Sequence, residues 1–150
     1  MTKLATALNI EESIRTKSFE FAGHTFKVKV PLNKELEEIT ARVIEVPNDV
    51  VQARLQKMTE SLTKEPVEGV EIKDGEVFVD GRSTKETVIA VLQMERKIVE
   101  YLKLLIPVEG NLDNLTYEEV EQEFPLQVQF ELLERINEVI QPGYKNAKKN

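Results

Sequence analysis

Residues 19–30 read Phe19-Glu-Phe-Ala-Gly-His-Thr-Phe-Lys-Val-Lys-Val30, with apolar and polar side chains alternating on both sides of a glycine. This alternation is typical of two half-buried strands joined by a tight turn. A two-residue turn at Gly23-His24 closes such a hairpin, and glycine at its first position favours type II′. The apolar side chains then share one face in opposed pairs: Phe19 with Val28, and Phe21 with Phe26. The segment predicts a β-hairpin at about 18–30.

Residues 70–79 repeat this plan around Asp74-Gly75, a residue pair that favours a type I′ turn. The turn brings the apolar side chains of both strands to one face, as two pairs: Val70 with Val79, and Ile72 with Val77. Phe78 falls on the opposite face, where it either packs on a helix or marks a contact surface. This segment predicts a second hairpin at about 70–80.

The rest of the chain has apolar residues at helical spacing. We predict helices at about 34–46, from Asn48 or Asp49 to about 62, and at about 84–105, the last being the longest. Capping-box patterns at Ser83–Glu86 and Thr116–Glu119 mark two helix starts. The second of these opens a short helix, and Pro125 suits the first residue of a final helix to about Gln141.

These elements predict an α+β fold that is mainly helical, with the helix at 84–105 as its spine. We expect an N-terminal arm at 1–17, a single domain at 18–141 and a flexible basic tail at 142–150. The length of 150 residues is enough for one core without disulfides.

Composition narrows the class of partner. The net charge of −7 argues against nucleic acid, because phosphate contacts need clustered Lys and Arg. No run of about 18 apolar residues occurs, which argues against a membrane span. The N-terminal residues lack the apolar core of a signal peptide, so a cytoplasmic location is expected.

Convergent reactive side chains are not apparent in this sequence. The chain has no cysteine and one histidine, His24, which falls in the first turn. Glu95 lies within the apolar stripe of the long helix, where it either pairs with a nearby base or anchors a partner. A lone glutamate is a poor basis for general acid–base chemistry. We therefore expect a protein that binds other proteins, without catalytic, cofactor-binding or metal-binding residues.

The final helix is the candidate partner-binding element because it carries two apolar stripes. The first stripe comprises Leu126, Phe130, Leu133 and Ile140. The second comprises Val128, Leu132, Ile136 and Val139, and we predict that it faces a partner. One domain core covers one face of a terminal helix, so the other face needs a second cover. A helix of a partner protein or a second copy of the chain could equally provide it.

Acidic residues extend this candidate site. From Glu109 to Glu134 the chain has eight acids and no Lys or Arg. Such a block is either a solvated face or a docking surface for a basic helix. We assign four of these acids to the partner-binding site: Glu118, Glu119, Glu121 and Glu123.

The order of these features resembles the tail assembly chaperones of long-tailed, siphovirus-type bacteriophages. The resemblance lies in a short N-terminal arm, the hairpin Phe19-x-Phe21-x-Gly23-x-x-Phe26-x-Val28, the step Pro31-Leu32 and an acidic helix. The later helices and the polar tail also fit, whereas the Asp74-Gly75 hairpin has no counterpart that we can map.

The resemblance implies a protein of the host cytoplasm that binds and solubilises the tape-measure protein and helps to recruit tail-tube subunits. Members of this family often have a longer form made by ribosomal frameshifting, and Lys148-Lys149-Asn150 can be encoded by a slippery adenine run. The alternative is a structural head–tail joining protein or a small oligomeric adaptor of a phage. A small acid-dependent hydrolase is a third, weaker alternative.

Overall fold

The computed structural model describes residues 4–8, 14–63, 68–73 and 76–141. The helices are α1 (Leu4–Ala7), α2 (Asn33–Ile44), α3 (Asn48–Thr63), α4 (Thr84–Leu102), α5 (Tyr117–Glu123) and α6 (Leu126–Ile140). The strands are β1 (Thr16–Phe21), β2 (His24–Lys29), β3 (Val70–Lys73), β4 (Glu76–Val79) and β5 (Arg82–Ser83). The fold is mixed α+β and mainly helical, which confirms the predicted class.

The chain groups into two compact units. One comprises Met1–Ile39 with Lys97–Asn150, and the other comprises Thr40–Arg96. The single domain expected at 18–141 stays a prediction. The expected arm at 1–17 ends earlier than predicted because Thr16 and Lys17 belong to β1. The basic tail expected at 142–150 lies outside the described residues.

The first hairpin forms where it was predicted, but its turn and register differ. The turn residues are Ala22 and Gly23, with φ of +53° and +79°, so the predicted turn at Gly23-His24 was wrong. Phe19 pairs with Phe26, and their rings stack with centroids 5.5 Å apart. Positive φ at both turn residues is the type I′ geometry, whose twist matches that of the flanking strands.

A short segment after α4 adds to this hairpin. The amide of Lys29 donates to the carbonyl of Leu104, and the amide of Ile106 donates to the carbonyl of Lys27, both at 2.8 Å. The helix predicted to run to 105 therefore ends at Leu102. Backbone groups after that residue pair with β2 instead of continuing the helix.

The second hairpin confirms the predicted register. Val70 pairs with Val79 and Ile72 with Val77, while the predicted turn residues Asp74-Gly75 lie outside the described residues. The sheet also has a third strand, β5, which pairs with β4 and was not predicted. The Oγ1 of Thr84, the first residue of α4, donates to the carbonyl of Val77 at 2.7 Å. This bond joins α4 to the sheet.

The unit Thr40–Arg96 has its own apolar core. Val51, Val88 and Leu92 are buried together, and four half-buried side chains pack against them: Val46, Leu55, Met58 and Ile89. At its edge the guanidinium of Arg54 donates to both carboxylate oxygens of Glu95, at 2.9 and 3.0 Å. Glu95 therefore pairs with a base, as one of the two sequence interpretations expected.

The other unit buries apolar side chains from its hairpin and its helices. They are Phe19, Val28, Ile39, Ile98, Tyr101, Leu102, Val120, Leu132, Ile136 and Ile140. Helix α6 supplies three of these side chains and lies against β1. Within the described part of the chain, no helix is long and apolar enough to cross a membrane.

Candidate functional site

Helices α5 and α6 meet at a corner that local chemistry defines. Thr116 caps α5, because its side-chain oxygen accepts from the amide of Glu119 at 3.3 Å. The chain becomes extended at Phe124, with φ of −121° and ψ of 126°, and α5 ends there. We predicted Pro125 as the first helical residue of α6. It is instead the N-cap, and the helix begins one residue later, at Leu126. The corner thus separates two helices instead of bending one.

A buried glutamine holds this corner together. Gln129 is only 2% exposed. Its amide nitrogen donates to the carbonyl of Phe124 at 2.9 Å, and its amide oxygen accepts from the hydroxyl of Tyr117 at 2.8 Å. Sequence reasoning missed Gln129 because a polar helical residue is usually exposed. The available signal was its position, three and seven residues before the buried Leu132 and Ile136.

The orientation of α6 corrects the predicted partner-facing stripe. Leu132 and Ile136 are 2% and 0% exposed, and Val128 and Val139 are half-buried. Leu132 and Ile136 therefore point towards the interior of their unit, and Val128 and Val139 are partly covered by it, so this stripe is not an open surface for a partner. The physical reason is that Gln129 shares their side of the helix, and its two hydrogen bonds are made inside the corner.

Two side chains of the other stripe are exposed, whereas Leu133 is half-buried and Ile140 is buried. Leu126 is 55% exposed and Phe130 is 42% exposed, and Phe124 beside them is 38% exposed. Leu126 and Phe130 are four residues apart, which places them on one face of α6, one turn from each other. We call Phe124, Leu126 and Phe130 the corner strip. It is an apolar surface that the described residues leave open.

Helices α5 and α6, which flank the corner strip in the chain, both carry exposed acidic side chains. The four predicted acids of α5, Glu118, Glu119, Glu121 and Glu123, are all exposed. Helix α6 adds three further exposed acids, Glu131, Glu134 and Glu138, which we call the α6 acids. The α6 acids line a surface depression of about 340 Å³ with Phe21 and Arg135. The sequence-based prediction assigned the acids of α5 to the site but none of the three α6 acids.

Among the described residues, the titratable groups with shifted pKa values are Glu35 and Tyr101, and neither belongs to the corner strip or to the α6 acids. A hydrogen bond from the amide of Leu32 lowers the pKa of Glu35, and the positive charge of Arg15 lowers it further. Burial raises the pKa of Tyr101. Within the described ranges, no group of three or more His, Cys, Asp or Glu side chains could hold a metal ion.

An apolar strip with a charged border is the usual composition of a surface that recognises another protein. Comparison of the chain with known protein families, curated proteins and solved structures finds no match.

Proposed function

We propose that this protein is a tail assembly chaperone of the long-tailed phage type. In this role it holds the tape-measure protein in solution in the host cytoplasm and helps to recruit tail-tube subunits, without catalysis. The resemblance of the first hairpin, the Pro31-Leu32 step and the acidic helix to that family supports the proposal. The observation that carries it is the corner strip, where Leu126 and Phe130 are 55% and 42% exposed on adjacent turns.

Covering these exposed side chains with a partner would contribute favourable free energy to binding. Full burial of a leucine or phenylalanine side chain is worth about 1.5–3 kcal/mol. Since roughly half of each side chain is already covered, a partner that covers the rest gains about 1 kcal/mol from each. Phe124 extends the same surface, so the strip can supply a central apolar contact for a partner helix.

Co-expression with the tape-measure protein of the same phage tests the proposal. Parent and variant chains are produced with that protein, and its soluble fraction is measured after centrifugation. We expect the parent chain to keep the tape-measure protein in solution. The variant that combines Leu126→Asp and Phe130→Asp should lose this effect, because a desolvated carboxylate opposes apolar contact.

The chain offers a matched control for this experiment. Val50 is 41% exposed on the first turn of α3, close to the 42% of Phe130, and it lies outside the corner strip. Val50→Asp should leave solubilisation unchanged. Aggregation of the tape-measure protein with the parent chain would contradict the proposal. So would stoichiometric amounts of this chain in finished virions, which would favour a structural head–tail protein.

A further inference from the structure

We infer that the outer face of α6, from the corner strip to the α6 acids, binds a basic amphipathic helix of the partner protein. This inference rests on the proposed function and specifies the chemistry of its partner. The partner helix would present two apolar side chains one turn apart to Leu126 and Phe130. Lysine or arginine side chains on its flank would meet the α6 acids.

The spacing along α6 places the acids beside the apolar strip. Glu134 follows Phe130 by four residues, and Glu138 follows Glu134 by four, so both continue along the helix surface from the strip. Glu131 lies beside them and accepts a hydrogen bond from Gln127 at 3.1 Å. Apolar and acidic groups therefore succeed one another along one exposed helix face.

The positive charge on α6 does not neutralise this face by an ion pair within the helix. Arg135 is the one cationic residue in α6, and its guanidinium donates to the backbone carbonyl of Glu20 at 2.8 Å. That bond directs the guanidinium towards β1. Arg135 also lines the depression, but three carboxylates against one guanidinium leave it with a net negative charge that is complementary to an incoming positive side chain.

An aromatic ring completes the surface for such a side chain. Phe21 is half-buried and lines the depression that the α6 acids form. Lysine and arginine pack their aliphatic stems on apolar surface while their charged ends reach polar groups. A stem against Phe21 therefore places the charged end among the carboxylates, and the ring itself attracts a cation.

A second copy of this chain fits the same face poorly. A two-fold symmetric contact brings the same patch of both copies together. Depending on where the two-fold axis passes, the α6 acids would meet either the α6 acids or the apolar corner strip of the other copy. The first arrangement brings like charges together and the second desolvates carboxylates against apolar side chains, so both disfavour association. Charge complementarity thus selects a basic partner over self-association.

Synthetic peptides test this inference directly. One probe is an amphipathic helical peptide of about five turns with leucines four residues apart and lysines on the flank. The second probe has glutamate at each lysine position. We expect calorimetric titration to show binding of the lysine peptide and at least tenfold weaker binding of the glutamate peptide. Binding of the lysine peptide should weaken as salt is raised.

Charge-neutral variants identify the surface. The variant that combines Glu131→Gln and Glu134→Gln should bind the lysine peptide about three- to tenfold more weakly than the parent chain. The expected effect is small because exposed ion pairs contribute modestly to affinity. The matched control is Glu37→Gln with Glu38→Gln on the exposed surface of α2, which should have no effect. Equal affinity for both peptides, or no effect of the α6 variant, would overturn the inference. A concentration-dependent dimer of the parent chain that Phe130→Asp abolishes would also overturn it.

The outcomes also separate this inference from the proposed function. If the α6 variant solubilises the tape-measure protein as well as the parent chain does, the function stands and the basic-helix surface is wrong. If the lysine peptide binds as expected but the tape-measure protein precipitates, the surface stands and the chaperone function is wrong.

Discussion

The hydroxyl of Tyr117 donates to the side-chain oxygen of Gln129 at 2.8 Å, which ties the first residue of α5 to the first turns of α6. The same glutamine donates to the carbonyl of Phe124, where the chain changes direction. One buried side chain therefore links the two helices across the corner. Its burial is consistent with an α6 orientation in which Leu126 and Phe130 stay exposed.

Removal of this glutamine should destabilise the corner. Gln129→Met keeps the approximate size of the side chain but removes the two hydrogen bonds of Gln129, to the carbonyl of Phe124 and from the hydroxyl of Tyr117. We expect a loss of about 1–3 kcal/mol in the free energy of unfolding, measured by urea denaturation. The control Gln127→Met, at an exposed position of the same helix, should cost less than about 0.5 kcal/mol. Equal losses for both variants would contradict the role of Gln129.

The ion pair of Arg54 and Glu95 should show energetic coupling. The side chain of Glu95 is only 15% exposed, whereas that of Arg54 is 39% exposed, so loss of the arginine leaves a mostly buried carboxylate unpaired. We expect a double-mutant cycle of Arg54→Met and Glu95→Gln to give a coupling energy of about 0.5–3 kcal/mol. Additive effects of the two substitutions would indicate that the pair contributes nothing.

Stability should depend on pH through Glu35. Its carboxylate accepts from the amide of Leu32 at 2.9 Å and pairs with Arg15, and these contacts lower its pKa. A lowered folded-state pKa stabilises the protein above the ordinary value of 4.5. This contribution is lost as the pH falls through the lowered folded-state pKa.

The variant Glu35→Gln isolates this effect. The difference in unfolding free energy between parent and variant should be largest near neutral pH and should shrink as the medium becomes acidic. Arg15→Met should reduce the effect without removing it, because the bond from Leu32 remains. A difference that is the same at neutral and strongly acidic pH would contradict this assignment.

The first turn should accept a stabilising substitution. Ala22 has a φ of +53°, a conformation that is unfavourable for alanine and that asparagine tolerates better. Ala22→Asn produces the Asn-Gly pair preferred in type I′ turns, and we expect it to add about 0.5–1 kcal/mol to stability. Ala22→Val should destabilise the hairpin, since branched side chains fit positive φ worst. Equal thermal midpoints for both variants would contradict the observed turn.

The two hairpins explain how much of the fold could be predicted from the sequence. Around Asp74-Gly75, turn preference and apolar alternation agree on one register, and the observed pairing of Val70 with Val79 matches it. In the first hairpin the register shifted by two residues. A shift of two keeps every side chain on the same face. Alternation therefore could not distinguish a turn at Gly23-His24 from one at Ala22-Gly23.

The candidate site was harder to predict for a related reason. The two stripes of α6 are similarly apolar, so periodicity locates the helix but does not decide which stripe is buried. The decision depends on non-local contacts, chiefly those of Gln129 and the packing on β1. The position where α4 ends also depends on non-local contacts, because the backbone of Leu104 and Ile106 pairs with β2. The exposed acids of α5, by contrast, followed from the sequence because nothing in their pattern favoured burial.

Thiol labelling tests most directly whether the corner strip is the exposed surface that a partner covers. The chain contains no cysteine, so each substitution adds a single reactive group. Variants Leu126→Cys and Val50→Cys carry a thiol at exposed positions, inside and outside the corner strip, and Ile136→Cys carries one at a buried position. The labelling rate of each variant is measured alone and with the tape-measure protein. We predict fast labelling of the first two variants alone, slow labelling of Ile136→Cys, and protection by the partner at Leu126→Cys only. Fast labelling of Ile136→Cys, or equal protection at Val50→Cys, would contradict the account.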